Sequence, residues 1–229
     1  MNTSNINGVI LYEGKNMLGS DFEDIVVIAT FKSKNRKTGP MIQVWILPKN
    51  MNPLDNTDNC GVCPIKNACY VTVIQAPNAI WKAYQNGSYP QYEDKTHRKL
   101  FRGRNIRWGA YGDPACIPLG IVRKFNKRSK SWTGYTHQHG LNRVRDRILK
   151  KYFMFSVETD EQRKKFHEEG VRVFQIIDSE DAPLDTVMCP NYTKGVSCDD
   201  CLLCKGTALE AKSVVIKAHG VRAGNLQLA

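Results

Sequence analysis

Residues 152–177 constrain the fold more than any other part of the chain. An aromatic and β-branched run (YFMFSV, 152–157) leads into a charged segment opened by Thr159 with Gln162 three residues on and closed by Gly170. A second apolar run (VRVFQII, 171–177) follows at once. Threonine three residues before glutamine makes a capping box, and glycine suits the left-handed residue that ends a helix. The two flanking runs have strand character. Strand, helix and strand with short joints form a βαβ unit, and its strands must be parallel because the helix carries the chain back.

The same alternation is found elsewhere. Residues 25–31 (IVVIATF) and 41–47 (MIQVWIL) read as two strands separated by a polar loop that ends in Thr38, Gly39 and Pro40. Residues 70–84 read as a helix interrupted by Pro77. Residues 106–110 read as a buried strand running into Gly112, Asp113 and Pro114. Residues 118–127 read as a helix begun by proline, 132–136 as a short strand and 214–219 as a strand-like run. No internal repeat and no low-complexity linker divides the chain. The pattern predicts a single α/β domain over residues 1–229, a TIM-barrel-like or partial (β/α) barrel, with an open doubly wound sheet as the alternative. In either architecture reactive groups belong just beyond the carboxyl ends of strands. That rule selects Asp113, His137 with Gln138, Glu158 and Asp178.

Charge narrows the partner. The chain carries 33 basic and 22 acidic residues, a net +11, and residues 97–151 hold fifteen of the cations against only Asp113 and Asp146. A concentrated surplus of this kind indicates a polyanion, nucleic acid first and DNA before RNA. Trp108, Tyr111, Trp132 and Tyr135 lie among these cations, where aromatic faces can hold flipped bases. Trp108, Tyr111 and Tyr135, with Arg107 and Gln138, are therefore candidate substrate-binding residues. The plainer reading is a solvated basic face with core aromatics. No segment reaches the roughly 18–20 apolar residues of a membrane span. The N-terminal residues lack signal-peptide order, so a cytoplasmic protein is expected.

Eight cysteines in such a chain are expected to be metal ligands, not disulfide partners. Cys189, Cys198, Cys201 and Cys204 are spaced C-x8-C-x2-C-x2-C in a turn-rich segment. Four thiolates complete a tetrahedral zinc site or the ligand set of an iron–sulfur cluster. His219 can replace Cys189 as the fourth ligand. Cys60, Cys63 and Cys69 form a second candidate with three ligands, either a cluster with one open iron or a zinc completed from elsewhere, Cys116 included. Asp113, behind two glycines that give a ligand room to approach the backbone, is a candidate nucleophile or base. His137 offers acid–base chemistry. Glu158 is a second carboxylate whose closeness to Asp113 would push one pKa up.

The chain resembles a family of bacteriophage and prophage proteins. The likeness rests on Cys60-Gly-x-Cys63-Pro with Cys69-Tyr70, on Arg107-x-Gly-Ala-Tyr-Gly-Asp113-Pro, on Thr133-Gly-Tyr-Thr-His137-Gln, and on Cys198-x2-Cys201-x2-Cys204 followed by Ala218-His219-Gly220. More distantly it is similar to the tRNA-guanine transglycosylase superfamily, phage 7-deazaguanine DNA transglycosylases included. That similarity implies a barrel, a Cys/Cys/Cys/His zinc site at Cys198, Cys201, Cys204 and His219, and strand-end carboxylates at Asp113 and Glu158 that exchange guanine for a preQ0-type base. It also resembles degenerate radical S-adenosylmethionine proteins, which implies an iron–sulfur cluster on Cys60, Cys63 and Cys69.

Overall fold

The computed structural model describes residues 6–219 and 223–225. Internal contacts divide the chain into two compact units, one built from residues up to 62 with 71–132, the other from 63–70 with those from 133 on.

The first unit holds a five-stranded sheet in the order β1-β2-β3-β4-β5. Strands β1 (Gly8–Gly14), β2 (Ile25–Thr30) and β3 (Ile42–Pro48) form an antiparallel meander. β4 (Asn105–Tyr111) joins β3 in parallel, and β5 (Ser131–Thr133) completes the order. All six residues of β2 are buried, so its sequence is continuously apolar where a half-exposed strand would alternate. Helix α1 (Ala76–Gln85) has Pro77 in its first turn, so this proline opens a helix that had been expected to be interrupted there. A short α2 (Asp94–His97) and α3 (Leu119–Asn126), which starts right after Pro118, follow. Phe101 packs on Phe31, Tyr92 and Phe125 with ring centroids 4.8–5.7 Å apart.

The second unit is an all-parallel sheet. β6 (Tyr135–Thr136), β7 (Met154–Val157), β8 (Val173–Ile177), β9 (Thr186–Met188) and β10 (Ser213–Lys217) lie in the order β6-β7-β8-β10-β9. Each neighbouring pair is parallel. α4 (Arg143–Tyr152) carries the chain from β6 to β7, and α5 (Asp160–Glu168) from β7 to β8. The expected capping box is formed in full by Thr159 and Gln162, and Gly170 takes a φ of 66° just after the helix. Between β9 and β10 stand two short helices, α6 (Pro190–Lys194) and α7 (Cys198–Cys201).

The α/β class is thus as expected, and no closed barrel is found: among the described residues neither sheet closes on itself. Closure requires the outermost strands to pair along their length. The edges of the parallel sheet are only two and three residues long, and the other sheet begins with three antiparallel strands that no (β/α) repeat contains. The strand expected over residues 132–136 is broken at Gly134, so that β5 belongs to one sheet and β6 to the other. No linker composition marks this change of sheet at Gly134. No described helix is long and apolar enough to cross a membrane.

Candidate functional site

Parallel pairing aligns the carboxyl ends of β6, β7 and β8, and the next residues are His137, Glu158 and Asp178. Two of these meet: His137 Nε2 lies 3.1 Å from Glu158 Oε1, with the side chains 18% and 23% exposed. On the other side of the ring, His137 Nδ1 is 3.7 Å from Cys63 Sγ. A carboxylate on Nε2 favours the tautomer that carries its proton there, and this leaves Nδ1 to accept from the thiol. Glu158 is held from behind, because its backbone N–H donates to Gln162 Oε1 at 2.8 Å, part of the cap of α5. A thiol, an imidazole and a carboxylate therefore stand in line, equipped to move a proton away from sulphur. Spacing alone groups Cys63 with Cys60 and Cys69, and only the fold reveals His137 as its neighbour.

A cleft of about 450 Å³ opens beside Glu158, with Asp160, Gln175, Asp178 and Asp181 among its lining. It carries carboxylates and no cation, so it suits an uncharged or cationic group and repels phosphate. Cations lie on α4 instead. Arg143, Arg147 and Lys151 are exposed and recur every four residues, about 6 Å apart along one helical face. Since α4 runs antiparallel to β6 and β7, its Arg143 end lies toward the carboxyl edge. Gln138 is buried, and its backbone N–H donates to Thr136 Oγ1. His139 stacks on Phe155 and meets Phe166 edge-on, the surroundings of a core histidine.

The residues expected around Asp113 occupy the first unit and play other parts. Asp113 is 7% exposed; its Oδ1 accepts from the Ala115 N–H at 2.8 Å and caps the turn Pro114–Cys116. The glycines do not clear space for a ligand. Gly112 sits at φ +83° where a Cβ would lie 2.4 Å from the Ile46 carbonyl oxygen, and at Gly109 it would lie 2.7 Å from that of Gly112. Close approach is real, but the approaching group is the protein's own main chain. Trp108 is fully buried with its indole N–H donating to Asn126 Oδ1 at 2.8 Å, and Tyr111 belongs to the apolar cluster of Ile10, Val26, Ile28 and Leu47. Arg107 is half-buried, with Nη1 donating to Gln43 Oε1 at 3.3 Å. Trp108 and Tyr111 are thus core residues and present no face for a base to stack on. Asp113 and Glu158 belong to different units, and the partner that Glu158 meets is His137.

All eight cysteines are among the described residues and none is in a disulfide. Cys60 packs against the apolar cluster of the first unit, while Cys63 and Cys69 belong to the second. Among the described residues no three His, Cys, Asp or Glu side chains form a ready-made ligand set. The C-terminal thiols nevertheless sense one another. Burial of its sulphur, with the charges of Cys189, Cys198 and Cys201 close by, pushes the Cys204 thiol up to about 12, against a hydrogen bond from Tyr135 that lowers it. A buried thiol raised by the charges of three others beside it belongs to a donor set that a soft divalent cation would relieve, so the chemistry of the four fits zinc. Cys189 acts on Cys204, whereas His219 is exposed, with its Nδ1 2.7 Å from the Lys217 carbonyl. Of the two candidates for a fourth ligand, Cys189 is thus the one set beside Cys204. Burial holds the Tyr135 phenol well above its usual range and its ring packs on Phe174, so this tyrosine backs the thiol cluster where a base-stacking face had been expected.

Nothing in the sequence singles out Arg172. Buried at the start of β8, it donates from Nη1 to the carbonyls of Leu203 and Lys205 and from Nη2 to that of Lys212, which ties the Cys204 loop to the sheet. Comparison with known proteins finds no family model that matches this chain, and no similar curated protein or solved structure.

Proposed function

We propose that this protein is a nucleic-acid base-modifying enzyme whose acid–base groups are His137 and Glu158. The observation that carries this reading is the imidazole–carboxylate contact of 3.1 Å at the carboxyl edge of a parallel sheet. Support comes from the exposed cations of α4, which can track phosphates, and from the uncharged or cationic character that the neighbouring cleft demands of its occupant, as an unpaired base would have. DNA is the polymer to test first. The leading chemistry is exchange of guanine for a 7-deazaguanine of the preQ0 type. Asp113, engaged as a cap, is not its attacking group. A zinc ion on Cys189, Cys198, Cys201 and Cys204 would crosslink the segment between β9 and β10 and stabilise the unit without entering the reaction.

Duplex DNA incubated with preQ0 and digested to nucleosides is expected to show the new base by mass spectrometry. His137→Gln and Glu158→Gln should abolish it while still binding DNA. Arg143→Gln with Arg147→Gln should lower the slope of log affinity against log salt by about 0.9 for each phosphate that α4 no longer neutralises. Binding without any altered nucleoside would leave a zinc-stabilised nucleic-acid-binding module. An unchanged slope would remove α4 from the interface. Metal analysis of anaerobically purified protein is expected to give about one zinc per chain and no visible absorbance. Iron with sulfide would favour a radical S-adenosylmethionine enzyme and direct the assay to cleavage of that cofactor.

A further inference from the structure

We infer that Cys63 is a nucleophile served by His137, with Glu158 as the residue that orients the imidazole. The sulphur lies 3.7 Å from Nδ1, the ring's other nitrogen lies 3.1 Å from a carboxylate oxygen, and all three groups belong to one unit. The thiol–imidazole distance does not follow from local sequence, since 74 residues separate Cys63 from His137. Cys63 and His137 are each only partly covered, so a small molecule can reach the sulphur.

An imidazole on a thiol, itself held by a third group, is the arrangement that turns a weak nucleophile into a strong one. As sulphur attacks an electrophilic carbon, its proton passes to Nδ1, an S–C bond forms, and the bond from that carbon to its leaving group breaks with both electrons going to the leaving group. His137 returns the proton to the departing group. Glu158 steadies the transient imidazolium through Nε2–H. The class of substrate is a molecule with an electrophilic carbon that bears a displaceable group and is uncharged or cationic there, in keeping with the acidic cleft beside Glu158. Resting on the base-exchange reading, that carbon is C1′ and the leaving group is the displaced base. The incoming base then attacks C1′, the S–C1′ bond breaks, and its proton passes by way of His137 to the sulphur, which restores the thiol.

The test uses the intact protein and iodoacetamide, in which sulphur displaces iodide. Alkylation of each cysteine is followed over time by peptide mass spectrometry at pH 7, with the buried Cys116 as an internal reporter of folding. Cys63 is expected to react about tenfold faster in the native protein than in His137→Gln, with Glu158→Gln in between and Cys116 unlabelled in all three. Equal rates at Cys63 in the native protein and in both variants would overturn the relay. So would a Cys63 that labels only after a zinc chelator is added, which would make Cys63 and His137 a pair of metal ligands. A fast, His137-dependent Cys63 in a protein that alters no nucleoside would support the relay and refute base exchange, so the two ideas fail separately.

Discussion

Gly112→Ala is expected to cost about 4 kcal/mol or more, the scale reserved for core and backbone disruption. Two effects combine. Alanine in the left-handed region near φ +83° costs about 1–2 kcal/mol by itself. Its Cβ would also lie 2.4 Å from the Ile46 oxygen, 2.7 Å from the Ile46 Cβ and 2.9 Å from Asn59 Nδ2. Neither Ile46 nor Asn59 can step aside cheaply. Ile46 is in the fully buried part of β3, and Asn59 donates from Nδ2 to that same carbonyl while its own carbonyl accepts from the Asp113 N–H. Urea unfolding of the two proteins measures the loss. Gly120→Ala is the control. It lies in helix α3 with nothing within 4 Å of the new Cβ and should gain about 0.5–1 kcal/mol. A Gly112→Ala protein within about 1 kcal/mol of the native would show that the chain tolerates a side chain at this position after all.

The second large effect belongs to Arg172. Arg172→Met keeps most of the volume but takes the side-chain donor from the part-buried carbonyls of Lys205 and Lys212 and one of two donors from that of Leu203, and is expected to cost about 3 kcal/mol. For a chain of this size that is a fall of roughly 10 °C in melting temperature. Burial already drives the guanidinium's pKa down from its usual value, against the charge of Cys204, which raises it. Arg172→Lys should recover only part of the loss, since one ammonium cannot span the carbonyls of Leu203, Lys205 and Lys212 as a planar fork does. Calorimetry on the three proteins decides the matter. A melting temperature unchanged in Arg172→Met would mean that the Cys204 loop holds its place without the arginine.

Local signals were legible wherever the element was set by its own residues. The 152–177 βαβ unit, its capping box and the glycine that ends α5 are found as expected, because caps and apolar runs act within a few residues. The strand-end rule likewise brought His137 and Glu158 into view. Features that depend on distant partners were hidden. The glycines beside Asp113 look the same whether a ligand or the Ile46 carbonyl lies against them. Trp108 and Tyr111 read as candidates to hold a base because of the cations around them, yet β4 turns both into the core, the plainer of the two readings. α4, with its arginines and lysines, shows in the sequence only as part of the basic stretch 97–151. Its helical form depends on the Asn142 cap and on the inward face at Leu149. Cys63 was grouped by spacing with its neighbours in sequence, and its contact with His137 exists only because β6 brings the chain back to it.

The cap of α5 has a kinetic consequence for Glu158. Gln162 Oε1 accepts from the amide hydrogens of both Glu158 and Thr159, at 2.8 and 3.3 Å, so the side chain that closes the helix also fixes the backbone beneath the carboxylate. Those two amides can exchange with solvent only when the first turn of α5 opens. The frequency of that opening, an ordinary local fluctuation of a helix end, then sets how often the carboxylate loses its registration with the imidazole. Fraying at a helix terminus, harmless elsewhere on the molecule, here becomes the clock that limits how long His137 stays oriented.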